Sequence, residues 1–274
     1  MISIETYEPK ILSPFIKSFW RLEVSDKLDM PYVEEILPDG HHEIIFHLNS
    51  SPSRKRNGSK DWCHDPAVFF AGQSRKSYAI QLNPGTVIYA IRFHPHTQPL
   101  FYNFPASEST DTLISLDDIS VKDTISACVT ESPEKTFENF EKEFIKKASR
   151  LKHPGEAFLY VDAAVRRIIQ QKGNIKMEIL EKITGVSSRH LEKSFQKFVG
   201  VSPKQFCNII KYSQFVTYKK NNPDKTLTEC AYEAEFHDQS HLIYLSNLIT
   251  GQSPKAYFKK ATHINDFFLQ HIGA

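Results

Sequence analysis

The chain has 274 residues, of which 40% are hydrophobic and 24% are charged. These fractions are ordinary for a soluble globular protein, and the length suggests two domains rather than one. No run approaches the ~18 consecutive apolar residues of a membrane span, and the start MISIETYEPK lacks the pattern of a secretory signal. The four cysteines form no CxxC pair, so we expect a reduced, cytoplasmic protein without a disulfide scaffold or a membrane partner.

The net charge of +2 conceals a difference between two parts of the chain. Residues 153–260 contain 16 Lys and Arg against 10 Asp and Glu, whereas the remainder contains 18 against 22. A basic C-terminal part on a mildly acidic N-terminal part indicates a polyanionic partner for one part only. The simpler alternative is that the excess of Lys and Arg only forms a basic surface exposed to solvent, with no polyanionic partner.

Residues 1–118 are predicted to form a β-rich domain. Runs of β-branched and aromatic residues at 43–48, 67–71 and 87–93 are separated by turn signals such as Pro38-Asp39-Gly40 and Asn83-Pro84-Gly85. Many short strands of this kind are typical of a barrel or a sandwich. The segment 50–60 is rich in Ser, Lys, Arg and Asn, which predicts a mobile loop.

After residue 118 the apolar residues adopt a helical spacing. One helix is predicted over 119–129 and a second over 133–151, with Phe137, Phe140 and Phe144 on one apolar stripe. The stripe packs either inside its own domain, which we favour, or against a second copy in a homodimer. The His153-Pro154-Gly155 break marks a boundary, so 119–152 is interpreted as a helical connector with a dimerisation role as the alternative.

The remaining region, 153–274, is predicted to be all-α and contains an internal repeat. The segment from Gly185 to Leu191 is followed by Gly200-Val-Ser-Pro-Lys-Gln-Phe206. A His-Leu pair, a glycine, a Ser-Pro-Lys triplet and an aromatic residue recur 51 positions later, ending at Tyr257. Four features matched in the same register indicate a duplicated unit.

Each unit is predicted to be a helix, a tight turn and a second helix. In the first unit, Gly185 can adopt the positive φ that ends a helix, and Ser187 or Ser188 can cap the next one. That next helix buries Leu191, Phe195 and Phe198, so a polar, basic face points outward. Because so short a turn makes the second helix protrude, the helix is suited to a DNA major groove.

Residues 157–260 resemble the DNA-binding domain of AraC/XylS-type transcription regulators. The resemblance is carried by Ser188-Arg189-His190-Leu191, by 200–206, by Asp238-Gln239-Ser240-His241 and by Gly251-x-Ser253-Pro254. It implies a bacterial, sequence-specific transcription regulator, not an enzyme, with two helix-turn-helix units joined by a long helix at about 203–221. The two recognition helices would enter successive major grooves of double-stranded DNA.

The N-terminal part is similar to an effector-type domain seen ahead of such modules. The matching segments are 37–40, 43–46, Phe70-x-Gly72-Gln73, 92–95 and 116–118. This similarity implies a domain that senses a small-molecule or protein effector, or assembles the protein, and no cofactor. The expected fold is therefore α+β in two domains, with a β-rich barrel or sandwich ahead of an all-α double helix-turn-helix module at 153–274.

Outward-facing positions on the two recognition helices are the candidate DNA-binding residues. In the first unit Arg189 or Lys193 suits guanine and Glu192 suits cytosine, and in the second Gln239 suits adenine. The complete candidate set is Ser188, Arg189, Glu192, Lys193, Lys197, Gln239, Ser240 and Tyr244. The second recognition helix, 238–250, has no Lys or Arg, so the first unit is expected to dominate affinity.

Several positions depart from the usual pattern of the family, which also has basic residues around Tyr244, Asn247 and Leu248. Glu181 stands where a small residue is usual, Glu235 where glycine is usual, and Ser246 where an aromatic core residue is usual.

The alternative function is a metal-dependent β-barrel enzyme or sensor with an accessory helical domain. His94-Pro95-His96 would place two histidines on one strand face, with His42 or Glu43 as a further ligand. Pro95 is unfavourable in a central strand, however, and the chain has no GxSxG, HExxH, P-loop or GxGxxG motif. We therefore predict neither a catalytic site nor a metal site.

Overall fold

The computed structural model describes residues 2–27, 30–116, 126–260 and 263–269. Within these ranges a two-sheet β-sandwich is followed by a helical region, which confirms the α+β prediction and selects the sandwich. Most of the helix predicted over 119–129 lies outside the described residues. No helix in the described ranges is both long and apolar enough to cross a bilayer.

Both sheets are antiparallel. In spatial order, the larger sheet contains β1 (Ile2–Tyr7), β2 (Ile16–Val24), β9 (Val87–Phe93), β4 (His42–His47), β7 (Val68–Ala71) and β10 (Leu113–Ser115). The smaller sheet contains β3 (Tyr32–Ile36), β8 (Tyr78–Leu82), β5 (Ser53–Arg56) and β6 (Cys63–His64).

The larger sheet is buried on both faces. Successive side chains of a strand point to opposite faces, and β2 shows this at Phe19 and Trp20. Trp20 belongs to the core between the two sheets, together with Ile80 and Leu82 of the smaller sheet. Phe19 belongs to a second core on the opposite face, which a helix covers.

Strand β5 corrects the prediction of a mobile loop over 50–60. Arg54 pairs with Asp65 at 3.0 Å and lies 4.0 Å from the ring centroid of Tyr78, so its charge is satisfied inside the sandwich. The prediction was wrong because it was based on composition alone, which treats an Arg as a residue that faces solvent. Here the partners are eleven and twenty-four positions away, and the backbone pairs with β8.

The covering helix is α2 (Pro133–Ala148), which follows α1 (Gln98–Phe101) and a 3₁₀ turn at Ala106–Ser109. It ends three residues before the predicted end, and Ser132 caps its start by accepting from the Lys135 N–H. The Phe140 ring lies 5.4 Å from that of Phe46 and 5.6 Å from that of Phe19. The apolar stripe therefore packs inside the chain, as we favoured, and is not exposed for a homodimer.

Eight helices form the C-terminal part within the described residues. They are α3 (Glu156–Gln170), α4 (Met177–Thr184), α5 (Ser188–Phe198), α6 (Pro203–Asn221), α7 (Leu227–Glu233), α8 (Gln239–Thr250), α9 (Pro254–Tyr257) and α10 (Ile264–Leu269). Helix α6 has the bounds predicted for the linking helix. One core joins α3 through α10 and includes Leu37 from the sandwich.

The sandwich and the helical region are joined by polar contacts at several places. At α10, the Glu34 carboxylate of β3 accepts from the backbone N–H groups of residues 263–265 at 2.9–3.0 Å. Near the end of α5, His42 Nε2 donates to Val199 O at 2.9 Å and Thr110 Oγ1 donates to Gly200 O at 2.8 Å. The helical region is thereby held against the sandwich at two places, one near the end of α5 and one at α10.

Candidate nucleic-acid interface

The first helix-turn-helix unit consists of α4, a short turn and α5. Gly185 ends α4 with a φ of +70°, and its N–H donates to Glu181 O at 2.8 Å. Ser187 then caps α5 by accepting from the His190 N–H. Both roles were predicted, because a left-handed terminus favours glycine and a helix start favours a serine hydroxyl.

Helix α5 has two chemically opposite faces. Leu191 and Phe195 are fully buried in the helical core. The predicted DNA-binding residues Arg189, Glu192, Lys193 and Lys197 are all exposed on the other side. The structure thus brings four of the candidate residues onto a single exposed face of α5.

Ser188 differs from the other candidates on α5 because both its backbone N–H and its hydroxyl are hydrogen-bonded to one carboxylate. The Glu181 carboxylate accepts from both the Ser188 N–H, at 2.5 Å, and the Ser188 hydroxyl, at 2.6 Å. These hydrogen bonds lower the pKa of Glu181, and the bond from the Ser188 hydroxyl has the larger effect. The unusual Glu181 therefore completes the start of α5 and places a negative charge there, a role that sequence reasoning missed.

The second unit consists of α7, a turn and α8. Thr226 and Glu229 form a capping box at the start of α7, and Glu235 adopts a φ of +56° in the turn. Asp238 caps α8 by accepting from the His241 N–H at 2.7 Å. Ser246, where an aromatic residue was expected, is buried and lies 3.1 Å from the Tyr212 hydroxyl, so the tyrosine from α6 occupies that part of the core.

The exposed face of α8 carries no Lys or Arg. The candidates Gln239, Ser240 and Tyr244 all lie on this face, with Tyr244 63% exposed. Ile243 is also exposed, at 45%, and sequence reasoning missed it because an apolar residue on an amphipathic helix is ordinarily assigned to the core. The two recognition helices therefore present very different chemistry.

The N-terminal histidines bind separate partners. His41 contacts Phe93 O at 2.9 Å, His94 contacts Ser13 O at 2.8 Å, and His96 contacts Asp162 of α3 at 2.9 Å. In the ranges that the structure covers, no three His, Cys, Asp or Glu side chains are grouped so that they could hold a metal ion. The metal-dependent alternative therefore receives no support.

A cavity of about 580 Å³ lies between the two sheets. Its walls are mainly apolar side chains of the strands, and helices α6, α8 and α10 close it through Asn208, Ile249 and Phe268. Inside it, Arg92 pairs with both Asp39 and Glu43, so its positive charge is neutralised within the protein. Two buried atoms of lining residues, Gln73 Oε1 and His47 Nδ1, have no hydrogen-bond partner among the residues that the structure describes.

Two known domain families match the chain. Residues 180–260 match a family described as a helix-turn-helix domain, and residues 5–115 match a domain of unknown function (DUF6597). No curated protein matches the chain in sequence.

Solved structures resemble the chain over nearly its whole length, at low sequence identity. A crystal structure of ToxT from Vibrio cholerae is 12% identical, with a TM-score of 0.47, and covers 96% of this chain and 99% of that one. A structure of ToxT bound to an unsaturated fatty acid is 14% identical, with a TM-score of 0.44 and coverages of 96% and 98%. The AraC-like transcriptional activator CuxR is 10% identical, with a TM-score of 0.21 and coverages of 98% and 83%.

The domain match at 180–260 coincides with the two helix-turn-helix units and the long helix α6 between them. The arrangement is the one that the AraC/XylS resemblance implied. The chain therefore has a DUF6597 domain ahead of a helix-turn-helix domain of the kind that the AraC/XylS resemblance implied, and it is a DNA-binding transcription regulator.

Proposed function

We propose that α5 is the principal DNA-reading helix of this regulator. The observation that supports the proposal is the exposure of four charged side chains on one face of α5 while its apolar face is fully buried. Arg189 and Lys193 suit the O6 and N7 acceptors of guanine, and Glu192 suits the N4 donor of cytosine. Lys197, at the far end of the helix, is assigned to a backbone phosphate.

Helix α8 is assigned to the next major groove, ~34 Å along the duplex. Its affinity contribution is smaller, because each neutralised phosphate adds a counterion-release contribution and α8 has no cation to supply one. Gln239, Ser240 and Tyr244 contribute base contacts. Ser188 contributes indirectly, because its hydrogen bonds to Glu181 hold the start of α5 in place.

The roles proposed for the three segments follow the hydrophobic cores described above. We assign 1–118 to a sensory and assembly domain, 119–152 to the connector, and 153–274 to DNA binding in the cytoplasm. The α2 stripe packs on the sandwich, so this part of the connector belongs mechanically to the sensory side. A homodimer would use a surface other than that stripe.

We also assign the sandwich cavity to a small-molecule effector. Its walls include side chains of α6 and α8 from the DNA-binding part, so a bound molecule would contact both parts of the chain. Because Arg92 is already paired with Asp39 and Glu43, Arg92 is not available to an anionic effector, and the effector is assigned a hydrogen-bond donor for Gln73 Oε1, which has no partner among the described residues.

The DNA-reading role is tested by selecting bound sequences from random duplexes. Arg189→Ala should relax preference mainly at one base position, at a cost of about 1–3 kcal/mol, while Lys197→Ala should weaken binding to all sequences and reduce the salt slope by about 1. Lys142→Ala is the matched control, because Lys142 is an exposed lysine on α2. Unchanged base preference in Arg189→Ala would refute the base-reading role.

The effector role is tested with the low-molecular-weight fraction of a bacterial extract. The fraction should change the affinity of the wild-type protein for its selected site, and Ala71→Phe, which fills part of the cavity, should abolish that response while retaining DNA binding. Thr6→Phe, on edge strand β1, is the control for an added ring. A response that survives Ala71→Phe, or its absence in the wild-type protein, would exclude the cavity as the effector site.

A further inference from the structure

The 51-residue repeat allows the two recognition helices to be compared position by position. Both are capped at matching places, by Ser187 and Asp238, and both bury a leucine four residues after the cap. The outward positions therefore correspond one to one. Arg189 corresponds to Ser240, Glu192 to Ile243, Lys193 to Tyr244, Gln196 to Asn247 and Lys197 to Leu248.

The apolar side chains on the outer face of α8 are not required by the core. Leu242, Leu245 and Ile249 fill the core side of α8 and are at most 3% exposed. Ile243 and Tyr244 lie on the opposite side and are 45% and 63% exposed. Leu248 is exposed as well, but it also lines the sandwich cavity.

The polar side chains on this face are amides. Gln239 lies in the first turn, where its Nε2 donates to Thr228 of α7, and Asn247 is exposed two turns later. Asp238, the carboxylate at the start of α8, is occupied as the helix cap and as a partner of the His237 ring. The outer face of α8 consequently offers amides, a hydroxyl and apolar surface, with neither a cation nor an unoccupied carboxylate.

This combination matches one class of base pair. In the major groove, Gln and Asn bind adenine N6 and N7 in bidentate fashion, and apolar side chains contact the thymine methyl. Guanine is matched by Arg or Lys and cytosine by Glu or Asp, which are the residues of α5. We propose that α8 reads A·T pairs, with amides on adenine and Ile243 and Tyr244 on thymine methyls, so that the binding site joins a G·C-containing half-site to an A·T-rich one. The inference rests on the proposed DNA-reading function.

Replacing thymine by deoxyuridine tests the methyl contacts directly, because it removes only the C5 methyl group. In the half-site read by α8, each contacted thymine should lose about 4-fold in affinity when replaced, the value of one buried methyl group. The same replacement in the half-site read by α5 should have no effect. An Ile243→Ala, Tyr244→Ala double variant should bind thymine and uracil duplexes equally, and equal binding by the wild-type protein would overturn the proposal.

Exchanging the chemistry of the two helices tests base identity. Ile243→Glu with Tyr244→Lys copies the α5 residues onto α8, and selection from random DNA should then replace A·T by G·C at one or two positions of that half-site. Tyr232→Lys is the control for the lysine, because it makes the same Tyr-to-Lys change at an 82% exposed position on α7 and should leave the selected bases unchanged. Since all these side chains are exposed, retained folding can be confirmed by thermal unfolding.

The outcomes separate the inference from the proposed function. If no sequence is enriched, or Arg189→Ala changes nothing, the DNA-reading function itself fails. If a G·C half-site is selected beside a second half-site that is G·C-rich or without preference, the function stands and the A·T assignment is wrong. The latter result, combined with a change in oligomeric state in the Ile243→Glu, Tyr244→Lys variant, would assign the face to protein contacts.

Discussion

Removing the Glu34 carboxylate should release α10 from the sandwich. Glu34 is 2% exposed and accepts four hydrogen bonds, three from the backbone N–H groups of 263–265 and one from the Tyr32 hydroxyl at 2.6 Å. Glu34→Ala leaves the three buried N–H groups without an acceptor. Glu34→Gln retains an oxygen acceptor without the charge and should have an intermediate effect.

The magnitude follows from what else holds the helix. Hydrogen bonds to a charged group contribute about 1.5–3 kcal/mol each, so the three backbone bonds supply roughly 5–9 kcal/mol. Burial of Ile264 and Leu269 adds about 1.5–3 kcal/mol each, whereas ordering seven residues costs roughly 1–2 kcal/mol per residue. Apolar burial alone therefore does not hold 263–269. The Asn265 side chain and the Lys220–Asp266 pair also bind the segment, so we expect Glu34→Ala to loosen it strongly while the sandwich stays folded.

Hydrogen exchange measures this directly. In Glu34→Ala the amides of 263–269 should lose most of their protection while those of β2 keep theirs, and Glu5→Ala, which removes an exposed carboxylate paired with Arg21, should change neither. Trp20 provides a second signal, because its ring lies 5.0 Å from Phe268, so its fluorescence should shift to the red in a Trp62→Phe background. Unchanged protection of 263–269 in Glu34→Ala would refute the reasoning.

Three further predictions concern stability. Burial lowers the pKa of His42 and of His47 to about 4, so both stay neutral in the folded chain while the unfolded chain takes up protons below pH 6.5. The free energy of unfolding should therefore be highest above that pH and fall by about 1 kcal/mol per histidine between pH 7 and 5.5. A free energy of unfolding in urea that does not change over this range would contradict the prediction. Glu235→Gly should raise the free energy of unfolding by about 0.5–1 kcal/mol, because glycine removes the left-handed strain and Lys211 still binds the backbone carbonyl, whereas Glu233→Gly in α7 should lower it. Phe140→Asp should unfold or aggregate in sedimentation and circular dichroism rather than give a folded monomer, since its side chain is fully buried.

Features set by neighbouring residues could be predicted from the sequence. The turn at Gly185, the Ser187 cap and the bounds of α6 depend on residues at most four positions apart. At the start of α6, Ser202 and Gln205 form a capping box, which defines that boundary locally. The repeat then made the second unit predictable from the first.

Features set by distant partners could not be predicted. Arg54 forms part of a strand only because Asp65 and Tyr78 surround it. The role of Glu181 depends on the turn that brings Ser188 back to it. The exposure of the Ile243 side chain could not be predicted from neighbouring residues. Helical periodicity assigns an apolar residue to the core when its neighbours are apolar, and Leu242 is such a neighbour.

The hydrogen bonds between Glu34 and the start of α10 also have a consequence for folding during protein synthesis. They join residues that are 229 to 231 positions apart in the chain. At about 5–20 residues per second, a ribosome needs roughly 10–50 s to make the chain between them. During that interval the nascent sandwich exposes Trp20 and the apolar cavity walls, so the newly made chain needs protection from aggregation until its own distant segment arrives to close it.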